Sequence, residues 1–386
     1  MTESTVKDQV PLSELALVFL KLGTIAFGGP AAHIAMMEDE FVRKRKWITE
    51  EDFLDRVAAA SLIPGPSSTE VGIFIGHSLR GWPGLIVAGS CFIIPAAILV
   101  TLIAAAYVRL GTLPRAEGIL RAIKPVVIAV IIQALWSLGK TAAKTIALAL
   151  TGAGAAALSF LRMNPLLVLA VAGTVSGLLW WARKGRGGSV ALHIGLPKLF
   201  SPAGLVALAV VAAPVSLERL FLSFLKIGSV VFGSGYVLLA FLRSEFVDHL
   251  HWLTEKQLID SVAVGQFTPG PVFTTAAFIG YLVGGLPGAF FATLGIFAPG
   301  FFFVAVSGPL IPKIRRSPLA RAVLDGVVVG SLALIAVVAW QLGKASITGW
   351  VAVLILAASV VAIFGFKVNS AWLIAGAGIV GWIIQG

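Results

Sequence analysis

The chain has 386 residues, 58% of them hydrophobic and only 12% charged, with a net charge of +11 and a mean hydropathy of +0.97. A soluble domain carries about twice that share of charged residues, so a water-soluble enzyme, a disordered chain and a disulfide scaffold are excluded. The composition is that of an all-α integral membrane protein with many helical spans.

The N-terminal residues Met1–Asp8 are polar and mixed in charge, without a cleavable signal pattern, so the first apolar run is expected to remain in the mature protein. That run begins at Leu12, carries Lys21 and leads into the box Phe27-Gly28-Gly29-Pro30. Next come the basic cluster Arg43–Lys46 and an element over Phe53–Leu79 centred on Pro64-Gly65-Pro66. Each arm of that element is too short to cross a hydrocarbon layer of about 30 Å, which predicts a re-entrant hairpin or a broken helix. Spans are predicted over Gly84–Tyr107, Ala116–Leu138, Ile146–Leu161 and Pro165–Trp181. The single cysteine, Cys91, lies inside an apolar run and reads as a packing residue. The stretch 183–202 is basic and glycine-rich and reads as a linker, followed by an apolar stretch, 203–215, without an assigned role.

Beyond residue 216 the whole pattern returns. Phe19-Leu20-Lys21-Leu22-Gly23 reappears as Phe224-Leu225-Lys226-Ile227-Gly228, and Phe27-Gly28-Gly29-Pro30 as Phe232-Gly233-Ser234-Gly235. Trp47-Ile48-Thr49-Glu50 matches Trp252-Leu253-Thr254-Glu255, and Pro64-Gly65-Pro66 matches Pro269-Gly270-Pro271. After a one-residue slip, Pro95 pairs with Pro299 and Trp136 with Trp340. The expected organisation is an N-terminal repeat over 1–182, a linker over 183–216 and a C-terminal repeat over 217–386.

Charge orients the repeats. If each Pro-Gly-Pro element returns to its own side, each half crosses five times, about ten spans in all, and the halves are inverted with both termini outside. Lysine and arginine then fall about two to one on a single face, as the positive-inside rule requires. Such cation clusters between apolar runs belong to cytoplasmic loops, and nucleic acid is not expected as a partner.

Paired Gly/Pro-interrupted segments in two inverted halves point to a transport site at mid-membrane. Proline removes a donor and glycine admits unusual dihedrals, so both box pairs are expected to break helices. The helix starts beyond the breaks offer N–H groups and a partial positive charge to an anion. Ser67, Ser68, Thr268 and Thr274 add hydroxyls there, Ser67 and Ser68 also being suited to helix capping. Lys21 and Lys226 stand inside apolar runs, either as counter-charges for an anion or snorkelling to the interface. Glu70 has no acidic counterpart, Thr275 standing in its place, and is a candidate for proton coupling or an exposed first-turn glutamate. Asp55/Asp260 and Glu40/Glu245 recur in amphipathic surroundings that suggest solvated or interfacial positions more than a proton relay. The five histidines show no metal-ligand spacing, and neither a cofactor nor a metal is expected.

The repeated Phe-Leu-Lys-hydrophobic-Gly boxes, with Phe27–Pro30, Phe232–Gly235, the Trp-hydrophobic-Thr-Glu boxes and the two Pro-Gly-Pro boxes, resemble the chromate ion transporter family in its long, two-repeat form. The resemblance implies a secondary transporter for chromate in the cytoplasmic membrane, outward in resistant bacteria, with isosteric sulfate as competitor. The match is weaker where Gly233-Ser234-Gly235 replaces Gly28-Gly29-Pro30. The expected substrate site is therefore Lys21, Phe27–Pro30, Pro64–Ser68, Lys226, Gly233–Gly235, Thr268–Pro271 and Thr274. Its partners are a chromate- or sulfate-like oxyanion and membrane lipid, with a homodimer as one option for assembly. The alternatives are a sulfate or other anion transporter on the same scaffold, or a membrane scaffold or lipid scramblase.

Overall fold

The computed structural model describes residues 10–110, 114–184, 215–232, 235, 237–307, 311, 317–347 and 349–385, and every regular element among them is helical. The first half holds α1 (Leu12–Ile25), α2 (Gly29–Glu38), α3 (Glu50–Ala60), α4 (Ser67–Leu110), α5 (Pro114–Ala142), α6 (Ile146–Phe160) and α7 (Pro165–Lys184). The second half repeats them as α8 (Leu217–Val230), α9 (Val237–Leu242), α10 (Glu255–Phe267), α11 (Thr275–Ser307), α12 (Pro318–Ser346), α13 (Trp350–Phe364) and α14 (Ser370–Gln385). Helices α2 and α9 continue into π-helical turns at Asp39–Lys44 and Arg243–His249. Among the described residues five segments, in α4, α5, α7, α11 and α12, are long and apolar enough to cross a membrane.

Local chemistry starts and stops these helices. Thr49 caps α3 by accepting the Asp52 N–H, and Thr254 forms a full capping box with Gln257 at the start of α10. The long helices α4 and α11 are broken at Arg80-Gly81 and Gly284-Gly285, where both second glycines are left-handed (φ 61° and 63°). These breaks are reversals: a Cβ on Gly76 would stand 2.3 Å from the Gly84 carbonyl oxygen and 2.4 Å from the Ala88 Cβ. Gly280 meets Gly288 and Ala292 in the same way. Each helix is thus two antiparallel arms, α4a (67–79) with α4b (82–110) and α11a (275–283) with α11b (286–307), held at backbone contact by small residues.

Packing is reciprocal between halves. Helix α1 lies on α4, and α8 on α11; α5 packs on α13 and α14, while α12 packs on α6 and α7. Helices α4 and α11 meet each other, as do α5 and α12. Such i-to-j and j-to-i pairing is the mark of a two-fold relation. Gly326 against Ala172 and Ser176, and Gly381 against Gly118 and Ala122, make the exchanged contacts close.

The direction of each half follows from its end contacts. Arg45 pairs with Glu14 and the Arg80 guanidinium donates to the Val10 carbonyl (3.2 Å), so the start of α1, the loop after α2 and the α4 reversal share one basic end. At the opposite end Lys256 pairs with Glu117 (3.2 Å), joining the start of α10 to the start of α5. Helix α3 therefore starts at the basic end and its counterpart α10 at the other: the repeats are inverted. The first apolar run differs from the expected crossing. Helix α1 reaches about 21 Å, and α2 with its π turn then returns beside it, with Phe19 on Phe41 at 5.1 Å. Each half thus opens with two hairpins that turn back on themselves, α1–α2 and α3–α4a in the first. The chain enters at the basic end and α14 finishes at the opposite one, beside Gly118.

Candidate functional site

The two kinds of break meet across the two-fold. After α1 the chain leaves the helix at Ala26 (ψ 92°), passes through left-handed Gly28 (φ 103°) and Gly29 (φ 78°), and restarts with Pro30 in the first turn of α2. This leaves the Ala26 carbonyl free of its helix, and the Gly270 N–H donates to it at 2.9 Å. Reciprocally, the Gly65 N–H donates to the carbonyl of Val231, at the end of α8, at 2.7 Å. Glycine is the only donor in each Pro-Gly-Pro, because both prolines lack an N–H. Each tripeptide of one repeat is thereby fastened to the first-helix break of the other.

The crossing point is at mid-depth. A Cβ on Gly270 would lie 2.6 Å from the Ala96 Cβ and 3.1 Å from the Gly23 carbonyl oxygen, and Ala96 is half-way along α4b. On the other side Gly300, the counterpart of Ala96 in α11b, lies against Pro66 and Glu70. Non-helical backbone at this depth survives because the other repeat satisfies it.

The polar groups around the breaks differ between repeats. In the first, Ser68, Thr69 and Glu70 are buried at the start of α4a. Ser68 Oγ is 3.2 Å from His33 Nδ1, and His33 Nε2 is 3.0 Å from the Ala26 carbonyl oxygen, so the buried ring bridges the two breaks of its own repeat. The Glu70 carboxylate stands over Gly65, where a Cβ would be 2.1 Å from Oε1. Both its oxygens and the Thr69 hydroxyl lack a hydrogen-bond partner. In the second repeat Thr268, Thr274 and Thr275 each donate to a nearby backbone carbonyl, of Val264, Pro271 and Val272 respectively. A cavity of about 10 Å³ lined by Gly235, Gln266, Val272 and Thr275 adjoins this break, room for about one water.

The structure thus brings together Phe27–Pro30, Pro64–Ser68, Thr268–Pro271, Thr274 and Glu70; Gly235 adjoins them, and Gly233 and Ser234 lie outside the described residues. Lys21 and Lys226 point elsewhere. Their ammonium groups, on side chains 58% and 45% exposed, pair with Glu40 (3.8 Å) and Glu245 (2.8 Å) of the π-helical turns. Those glutamates are largely buried rather than solvated, Glu40 being held also by Arg45 Nε (2.9 Å) and Glu245 by the Ser223 hydroxyl (3.0 Å). Asp260 is likewise fully buried, against the solvated or interfacial position expected for it. His33 escaped the sequence reading; its one signal is that Leu238 occupies the same place in the second repeat.

Comparison with known proteins agrees with this two-repeat build. The profile of the chromate transporter family matches residues 13–178 and again 218–382. The chain is 31% identical over 384 residues to the chromate transport protein of Cupriavidus metallidurans, covering 96% of this chain and 93% of that one. It is 29% identical to the probable chromate transport protein of Synechococcus elongatus (87% and 86% covered) and 28% to the chromate transport protein of Pseudomonas aeruginosa (99% and 95%). No solved structure matches. With both of its inverted halves matched, this membrane protein belongs to the chromate transporter family.

Proposed function

We propose that the chain is a secondary active transporter moving a tetrahedral oxyanion, chromate first, outward across the cytoplasmic membrane by alternating access. The observation that carries this reading is the reciprocal pair of hydrogen bonds, Gly270 to Ala26 and Gly65 to Val231, which joins two interrupted segments from inverted repeats at mid-depth. Family membership supports chromate as the oxyanion. Sulfate has the same shape and charge and competes for the same site.

In this reading the helix starts beyond Pro66 and Pro271, the box Phe27–Pro30 with Phe232 and Gly235, and the hydroxyls of Ser67, Ser68, Thr268 and Thr274 surround the anion. Lys21 and Lys226, less than two turns before the breaks, leave Glu40 and Glu245 to balance the dianion. Glu70, buried without a hydrogen-bond partner beside Gly65, carries the coupled proton. Rocking of the two repeats about the shared breaks exposes the site to each side in turn. Chromate uptake into everted vesicles tests it: Gly65→Ala and Lys21→Ala are expected to lose more than about tenfold in rate, a loss of about 1.4 kcal/mol of stabilisation. Unchanged rates in both overturn the site, and absence of saturable chromate flux in the unaltered protein overturns the function.

A further inference from the structure

Away from the breaks, one cluster of charged side chains is buried where a helical membrane protein least tolerates charge. Asp260, on α10, is 0% exposed, and Lys124, on α5, is 12% exposed with Nζ 3.1 Å from Asp260 Oδ1. The Tyr107 hydroxyl, near the end of α4b, donates to Asp260 Oδ2 at 2.9 Å. Lys124 approaches Oδ1 without an aligned hydrogen bond, so the pair is held by charge more than by geometry. It is also the least exposed of the described lysines that form ion pairs, the others being at least 45% exposed.

The sister repeat supplies an internal control. Where Lys124 and Tyr107 stand, it has Val328 and Ile311, and Asp55, the counterpart of Asp260, is exposed. The same fold thus closes with apolar side chains at these positions, and a buried ion pair is rarely more stabilising than such packing. Stability does not account for the triad.

Its position does. Asp260 lies eight residues, about 12 Å along α10, before Thr268 at the second Pro-Gly-Pro, on the side of the end opposite the basic cluster. The groups facing Asp260 are Lys124 from α5, Tyr107 from α4b and Lys256 from its own helix, the last drawn off by Glu117 (3.2 Å). From α11a, Tyr281 packs in the apolar cluster around Tyr107; Arg243, in the π turn after α9, is held by Glu255. Helix α14 and the turn Val272–Thr274 bring no titratable side chain.

We propose that Asp260, Lys124 and Tyr107 form a proton-operated anion site on the approach to the central breaks. With Asp260 ionised, its carboxylate neutralises Lys124 and the approach is closed to anions. A proton taken from water onto Asp260 leaves a neutral acid hydrogen-bonded to Tyr107 and frees the Lys124 ammonium as counter-charge for an oxyanion. Loss of that proton restores the ion pair and expels the anion, so one proton is bound for each anion admitted. This inference rests on the oxyanion-transport reading and adds a coupling group to it.

The test is chromate exchange in proteoliposomes holding the full chain, with equal pH on both sides and half-saturation measured across pH. The unaltered protein should lose apparent affinity by about tenfold per pH unit once Asp260 ionises. Asp260→Asn should keep high affinity with no such limb, and Lys124→Met should raise half-saturation at least tenfold at every pH. The triple variant Tyr107→Ile, Lys124→Val, Asp260→Asn copies the sister repeat's apolar residues at two positions; it should fold with an unchanged melting temperature and bind chromate weakly at every pH. An Asp260→Asn profile identical to that of the unaltered protein, or Lys124→Met with unchanged half-saturation, overturns the inference. Failure of the unaltered protein to exchange chromate at all refutes instead the transport reading on which it rests.

Discussion

Gly270→Ala and Gly29→Ala place the same methyl group on backbones of the same hand, φ 83° and 78°, in very different surroundings. An alanine in the left-handed region costs about 1–2 kcal/mol at either position. At Gly29 nothing lies within 4 Å of the added carbon, so that strain is the whole effect. At Gly270 the methyl would sit 2.6 Å from the Ala96 Cβ and 3.1 Å from the Gly23 carbonyl oxygen, positions on two other helices. Overpacking of this kind adds about 1–3 kcal/mol. If the loop withdraws to relieve it, the 2.9 Å bond to Ala26 breaks instead, leaving buried backbone groups unpaired at about 1–3 kcal/mol. Gly270→Ala should therefore lose about 2–5 kcal/mol against about 1–2 kcal/mol for Gly29→Ala. Thermal unfolding of the two purified variants in one detergent measures the difference. Melting temperatures that coincide would refute the close crossing of the breaks.

Glu70→Gln keeps the size and polarity of a buried side chain whose oxygens have no hydrogen-bond partner, so melting should hardly move, while the pH dependence of chromate flux should flatten; an unaltered pH profile removes Glu70 from coupling. His33→Ala takes out the ring between Ser68 and Ala26 and should destabilise by about 2–4 kcal/mol through the cavity and the lost hydrogen bonds, seen as a lower melting temperature. Lys226→Ala removes a half-exposed ion pair worth at most about 1 kcal/mol, so melting should hardly move while chromate flux falls at least tenfold; normal flux would take the lysines out of the site.

Self-similarity carried most of the fold. Among the described residues every α-helix has its counterpart, and even the four non-glycine residues of positive φ fall in repeat pairs, Lys46 with His251 and Arg162 with Lys367. The breaks were legible because proline and glycine act locally. The return of α2 beside α1 was not: an apolar run ending in a Gly-Gly-Pro box reads alike whether the chain crosses or turns back, and only contacts such as Arg45 with Glu14 decide. The partners of the breaks were equally hidden, since Ala26 and Gly270 are joined by backbone atoms that every residue possesses. For the lysines, spacing singled out Lys21 and Lys226 by their repetition, whereas burial singles out Lys124, which has no twin.

The exchange of α5 and α12 between halves has a consequence for biogenesis. Helices α6 and α7 have their main partner in α12, which begins about 150 residues later. At a synthesis rate of about 5–20 residues per second, the first repeat waits roughly ten to thirty seconds in the bilayer with its glycine-lined faces uncovered. During that interval it is a half-built bundle open to lipid and to any other half with the same faces. Tethering the second repeat to the first on one chain makes its own partner the one nearest to hand when α12 arrives.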